Sequence, residues 1–175
     1  MRFEGGRIYL KRLSLDALKG NYVQWLNDKD VCKYNSHGDV PYTKDMGAAF
    51  IRSLADDTSR EVYAVYLKQG DLHIGNISLQ RMDFRNRQAE IAYLFGEKEY
   101  WNKGYAKEAS EILLKRAFEE LDLRRVYFGT HIDNLGMRRL GEKLGFLQEG
   151  ILREALFKNG KYNDVVLYSK LRSSL

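Results

Sequence analysis

Two stretches of this chain carry the sharpest local signals, and the residue types and spacing of the first suit a phosphorylated ligand. The first is Tyr100-Trp101-Asn102-Lys103-Gly104-Tyr105-Ala106, between a strand-like run and the start of a long helical one. Glycine at 104 lets the backbone turn closely, and the first-turn N–H groups of a helix are unpaired donors. Such a loop can hold a phosphate or pyrophosphate on the amides of residues 102–106, with Lys103 adding charge. The same residues also suit a plain glycine-bearing helix start. Neither the Walker spacing nor Gly-x-Gly-x-x-Gly is present. The second stretch runs from Asn134 to Phe146, where Asn134 can cap a short helix and Gly145 can end it in a left-handed conformation. His37, His73 and His131 are scattered, without cysteine or close carboxylate spacing, so no metal site is expected. Cys32 reads as a core or lining residue rather than a nucleophile.

The elements that must position these residues follow from periodicity. Ile8-Tyr9-Leu10 reads as a first strand. Ser14 precedes a helical pattern over 15–26, and Thr43 precedes another to about residue 55. Residues 62–67, 72–79 and 89–95 then form an antiparallel meander. A long helix over 103–120, a strand at 125–130, a short helix over 135–144 and strands at 146–157 and 164–171 complete the chain. The order is β-α-α-β-β-β-α-β-α-β-β. It predicts an α/β (α+β) fold, with a mixed, mostly antiparallel central sheet flanked by helices.

The composition bounds the rest. At 175 residues, with one proline and no Ser/Gly/Pro-rich linker, residues 1–175 are expected to form one domain. A chain of this length buries roughly 70% of its unfolded surface and needs no disulfide or metal to fold. The excess of 29 Lys+Arg over 24 Asp+Glu gives a net charge of +5, spread along the chain. No stripe or tail marks nucleic acid as a partner. No apolar run approaches the ~18–20 residues of a membrane span, and the opening has no secretory h-region. A cytoplasmic protein is expected.

Taken together, the two stretches resemble the acetyl-CoA-binding region of the GNAT N-acetyltransferase superfamily. The branch most similar is that of the ribosomal-protein N-terminal acetyltransferases and the spermidine acetyltransferases. Its members carry Trp-Gly-Lys-Gly-Tyr-Ala followed by Glu-Ala, and here Trp101 to Ala106 is followed by Lys107-Glu108-Ala109. Asn134, Arg139, Glu142, Lys143, Gly145 and Phe146 fit the branch's later run. So do Glu149-Gly150 with Arg153-Glu154, Gly160-Lys161-Tyr162 with Asp164, and the opening Arg7 to Leu13. Three departures stand out. Asn102 replaces a usual glycine, Met137 a frequent serine, and Gly141 the tyrosine that many members use to protonate the departing thiolate.

The resemblance implies an acetyl-CoA-dependent N-acetyltransferase in which a primary amine attacks the thioester directly, without a metal. A catalytically silent acyl-CoA-binding or regulatory protein of the same fold is the alternative. By resemblance, Asn102, Lys103, Gly104, Tyr105 and Ala106 receive the pyrophosphate. The strand Ala89–Phe95 splays from its neighbour, with an N–H near Leu94 or Phe95 facing the thioester oxygen. Asn134, Arg139 and Lys143 are the cofactor contacts expected of the later run. Glu90 is the expected base, acting through water, unless it pairs with Arg81 or Arg87. Tyr93, Tyr105, His131 and Tyr162 are the side chains that could supply the acid. The acceptor pocket is expected between residues 25–42, 81–87 and 157–164. Its amine is a small metabolite, an aminosugar nucleotide or a protein N-terminus. The net charge and the basic 81–87 segment weigh against a polyamine. A homodimer joined through the final strands is compatible with the sequence, as is a monomer.

Overall fold

The computed structural model describes residues 2–172. Strand-favouring residues such as Val62, Tyr63, Val65 and Tyr66 build its central strands, and these are buried on both faces. The sheet has eight strands: β1 (Arg2–Glu4), β2 (Ile8–Arg12), β3 (Glu61–Leu67), β4 (His73–Asp83), β5 (Gln88–Phe95), β6 (Arg125–His131), β7 (Leu147–Lys158) and β8 (Lys161–Leu171). Their spatial order is β1-β2-β3-β4-β5-β6-β8-β7. Every neighbouring pair is antiparallel except β5–β6. The helices are α1 (Tyr22–Trp25), α2 (Lys44–Ser53), α3 (Tyr105–Lys115) and α4 (Leu135–Lys143). One core lies under α3 and α4, around Ile8, Tyr63, Ile77, Ile91, Leu113 and Phe128. The other lies under α1 and α2, around Leu13, Trp25, Leu26, Ile51 and Val62.

The mixed sheet flanked by helices is as expected, with three local differences. The helix expected over 15–26 breaks into a 3-10 turn (Leu15–Lys19) and the single turn of α1, because Gly20 takes an extended conformation between them. Ser14 precedes that 3-10 turn without a side-chain cap bond, whereas Thr43 and Asn134 accept from Met46 and Met137 N–H, each at 3.2 Å. The short β1 was not anticipated; three residues carry no readable period. The long helix ends in a π turn over Arg116–Glu120.

That turn delivers Arg116 into the core. Arg116 donates through Nε and Nη2 to both oxygens of Glu61, at 2.6 and 2.5 Å. Tyr63 Oη and Arg12 Nη2 donate to the same carboxylate at 2.7 and 2.8 Å. Burial alone pushes the Glu61 carboxyl up, but the bonds from Arg116 and Tyr63 outweigh it and hold it below its ordinary value. Both side chains of the Arg116–Glu61 pair are 10% exposed or less. Removing one partner leaves a buried charge without its mate. Arg116→Ala is therefore expected to cost about 3–5 kcal/mol in urea denaturation.

His73 sits between the rings of Trp25 and Tyr66, with centroids 4.8 and 5.0 Å away. Its Nε2 lies 3.0 Å from the Gly75 carbonyl, which fixes that nitrogen as the donor of the neutral ring. Nδ1 is then buried without a partner. Burial pushes its pKa down, against the opposing bonds to Asn76 and Gly75, and His37 is shifted the same way. A lowered folded pKa contributes stability that is complete above the unfolded value of ~6.5 and is lost as pH falls below it. Unfolding free energies at pH 7.5 and 5.5 should show that loss.

Candidate active site

The parallel pair β5–β6 is the centre of the site. It is in register only at Gln88–Glu90 against Arg125–Tyr127. Beyond Glu90 the strands part, while β5 stays paired with β4 up to Phe95. The Gly96 N–H reaches the Ile74 carbonyl at 3.1 Å, astride the Phe95–Gly75 pair. That makes Phe95 a non-hydrogen-bonded partner of β4, so its N–H and carbonyl turn away from β4 toward the gap. Tyr93 shares this orientation by alternation, whereas the Leu94 backbone turns toward Asn76 on β4.

The loop after β5 is pinned to the end of that strand. Trp101 Nε1 donates to the Phe95 carbonyl at 2.8 Å. Asn102 (φ 60°) and Gly104 (φ 85°) are both left-handed. Asparagine is among the residues that tolerate this region, which accounts for Asn102 standing where the branch has glycine. Its side chain is exposed. The Glu108 N–H to Gly104 carbonyl bond opens the α3 ladder, so the amides just ahead of Glu108 have no intrahelical acceptor. Their unpaired N–H groups and aligned dipoles give the loop a positive partial charge that suits an anion, beside the exposed Lys103.

A long-range clamp holds this loop. The Arg7 guanidinium donates to the Lys103 carbonyl (3.0 Å) and to Glu108 Oε2 (3.0 Å), and lies 4.3 Å above the Tyr105 ring. Glu108 Oε1 in turn accepts the Arg7 backbone N–H at 2.7 Å. Sequence reasoning missed this clamp, since 101 positions separate its partners.

On α4, the Asn134 carbonyl oxygen is committed to its cap, leaving the amide NH₂ as the group with donors to offer. Arg139 is exposed. Lys143 lies beside Lys115, Phe118 and Glu119 near the other end of α3, a helix length from Asn134. These three residues are thus spread along α4 rather than gathered at the loop. Gly141 is buried, and a Cβ there would sit 2.6 Å from Phe128 Cζ. The Phe128 ring occupies the space that a larger side chain would need.

Glu90 lies on the opposite face of the sheet from α3, opposite Gln80 on β4 and Tyr127 on β6. Arg81 approaches it at 3.4 Å, but Arg81 is 77% exposed, and a pair so open to solvent holds little energy. Arg87 instead joins Asp122. Of the tyrosines, Tyr93 shares a hydrogen bond with Ser110 on α3 (3.0 Å), and burial pushes its hydroxyl pKa up. Tyr105 stacks under Arg7, and Tyr162 is exposed against Phe157. Two of the three expected acceptor segments do meet, at Lys33–Tyr34 and Lys158–Asn163. Trp25 is instead core: it is 3% exposed, packs on Gly96 and donates to Glu97. The 81–87 segment is absent from that cleft. Among the described residues, no three His, Cys, Asp or Glu side chains are grouped to hold a metal, and no helix is long and apolar enough to cross a membrane.

Gly141→Ala is expected to destabilise by about 1–3 kcal/mol through overpacking on Phe128, and by less in a Phe128→Leu background. A double-mutant cycle by denaturation checks the coupling.

Residues 7–147 match the acetyltransferase (GNAT) domain family. The YdaF protein of Bacillus subtilis is 43% identical over 98 residues, which are 56% of this chain and 53% of that one. The uncharacterized N-acetyltransferase p20 of Bacillus licheniformis is 29% identical over 94% of this chain and 96% of its own length. Among solved structures, the spermidine N-acetyltransferase of Vibrio cholerae in complex with CoA and spermine superposes with a TM-score of 0.85 at 25% identity, over 94% of this chain and 95% of that one. A loop opening α3, a strand pair that parts beside it and a family match over most of the chain all agree: this protein belongs to the GNAT acetyltransferase family.

Proposed function

We propose that this chain moves the acetyl group of acetyl-CoA to a primary amine bound on the Glu90 face of the sheet. The observation that carries the proposal is the parting of β5 and β6 directly before the α3 start loop. Gly104 fits a phosphate cradle: it is left-handed, and a Cβ there would press to 3.3 Å from the Arg7 guanidinium. The solved relative that holds CoA supports the same assignment.

When bound, acetyl-CoA supplies a thioester already activated toward amines. The amides of residues 102–106 would hold its pyrophosphate, with Lys103 adding charge and Arg7 fixing the loop. The backbone of Tyr93 and Phe95 would line the pantetheine arm, and the Phe95 N–H is the donor aimed at the gap where oxyanion charge develops. Leu94 contributes by holding β5 to β4. The Asn134 amide and the exposed Arg139 would add contacts from α4.

An amine of pKa ~10 is protonated at neutral pH and must lose that proton before attack. Glu90, at the vertex of the gap, would relay it through water. α4 carries no hydroxyl side chain, and at Gly141 the Phe128 ring fills the space that one would need. A thiolate with a pKa near that of cysteine can take its proton from water, whereas burial raises the Tyr93 pKa and makes its hydroxyl the poorer proton donor.

Calorimetric titration with acetyl-CoA should show one-to-one, micromolar binding, and a folded sample that fails to bind overturns the reading. Glu90→Gln should leave that affinity unchanged and lower kcat by about 100-fold. Its activity should recover as the pH approaches the pKa of the amine.

A further inference from the structure

On the Glu90 face, a cleft of about 190 Å³ opens between the segment after α1 and the β7–β8 hairpin. Lys33, Tyr34, His131 and Lys161 are its chemically distinctive walls. With a water's share of liquid volume near 30 Å³, it has room for an oxyanion and the few atoms beside it.

The cleft is built rather than left over. Lys158, whose side chain is 5% exposed, ties the two walls together by donating to the His37 carbonyl and to Asp39 at 2.8 Å. Asn163 holds the hairpin through its side-chain amide, donating to the carbonyls of Leu156, Lys158 and Lys161 at 3.3, 3.4 and 3.0 Å. The Tyr34 ring leans on His131, with centroids 5.2 Å apart.

The donors are then decided by hydrogen-bond logic. His131 Nδ1 accepts the Asp133 backbone N–H at 3.1 Å, so the neutral ring carries its proton on Nε2. His131 is 7% exposed, and among the described residues its Nε2 has no protein acceptor. Lys33 lies 4.9 Å over the Tyr34 ring, and neither Lys33 nor Lys161 forms an ion pair among the described residues. Asp39 answers Lys158, which leaves the rim carboxylate Asp133 against two lysines. The balance is positive, with three donor groups and one opposing carboxylate.

We infer that this cleft receives an oxyanion, a phosphate or a carboxylate, carried by the amine substrate at the end remote from its nucleophile. The inference rests on the acceptor lying on the Glu90 face, as proposed above. His131 is four residues beyond Tyr127, the register partner of Glu90, so the two sites are separated by roughly 13 Å along β6. The amine must also reach a thioester beside the Phe95 N–H, at the cleft's end of the gap, so an acceptor in the gap carries its anion within about 10 Å of its amine. A polyamine would place a second cation against Lys33 and Lys161, and is disfavoured.

A matched set of six-carbon amines ending in phosphate, carboxylate, hydroxyl or a second amine tests this at fixed salt. Binding is read by calorimetry and by the His131 ring resonances. At least one anion-ended amine should bind tenfold or more tighter than the hydroxyl and diamine members, and which one does so distinguishes phosphate from carboxylate. In a Lys33→Gln/Lys161→Gln double variant that preference should vanish, while acetyl-CoA affinity and the unfolding midpoint stay the same. Equal binding across the set, or a preference that survives in the double variant, overturns the inference. Loss of acetyl-CoA binding in the parent protein instead overturns the acetyltransfer reading, because the anion preference is measured without acetyl-CoA.

Discussion

A single parallel strand pair sets the terms for the rest of this molecule. Two neighbouring strands that run in the same direction cannot be joined by a hairpin; the chain must cross over, and here it does so through α3. The loop of 96–104 sets the start of α3 at the end of β5, where the strands have separated, and the helix then carries the chain back to the start of β6. A helix start with unpaired N–H groups and a row of outward-facing backbone groups thus become neighbours.

The parted strands are supported from both faces. Trp25 packs on Gly96 at the end of β5, where even a methyl group could not fit, and is anchored to Glu97. Arg7 and Glu108 draw the first strands and α3 together around the loop. Further along the same helix, Arg116 ties its end to Glu61 on β3. The crossover helix is therefore fastened to the sheet at both ends by arginine–carboxylate pairs, the far one buried and strong, the near one half-open to solvent.

Much of this was legible in the sequence, and the limits have physical causes. Strands with β-branched and aromatic runs, capped helices at Thr43 and Asn134, and the left-handed Gly145 are local features that local patterns report. The helix assigned across Gly20 failed because apolar spacing continued through a residue that broke the backbone path. Trp25 looked like a pocket wall because its burial depends on Gly96, more than seventy positions away. Residue types along one segment do not report such long-range partners. The same holds for the Arg7 clamp, for Phe128 filling the space beside Gly141, and for the meeting of Lys33 with the β7–β8 hairpin.

The hairpin that walls the cleft also forms one margin of the sheet, with β7 outermost. Twelve residues of unpaired edge carrying exposed Leu147, Ile151 and Leu152 would ordinarily invite another chain to add a strand. The register slips between Leu152 and Leu156, with Glu154 left-handed and its N–H turned inward to Asp164 at 2.9 Å. With a second slip between Gln148 and Gly150, that kink splits the ladder of the margin into three short runs that do not continue one another. Runaway sheet growth is thereby discouraged at the hairpin that walls the cleft.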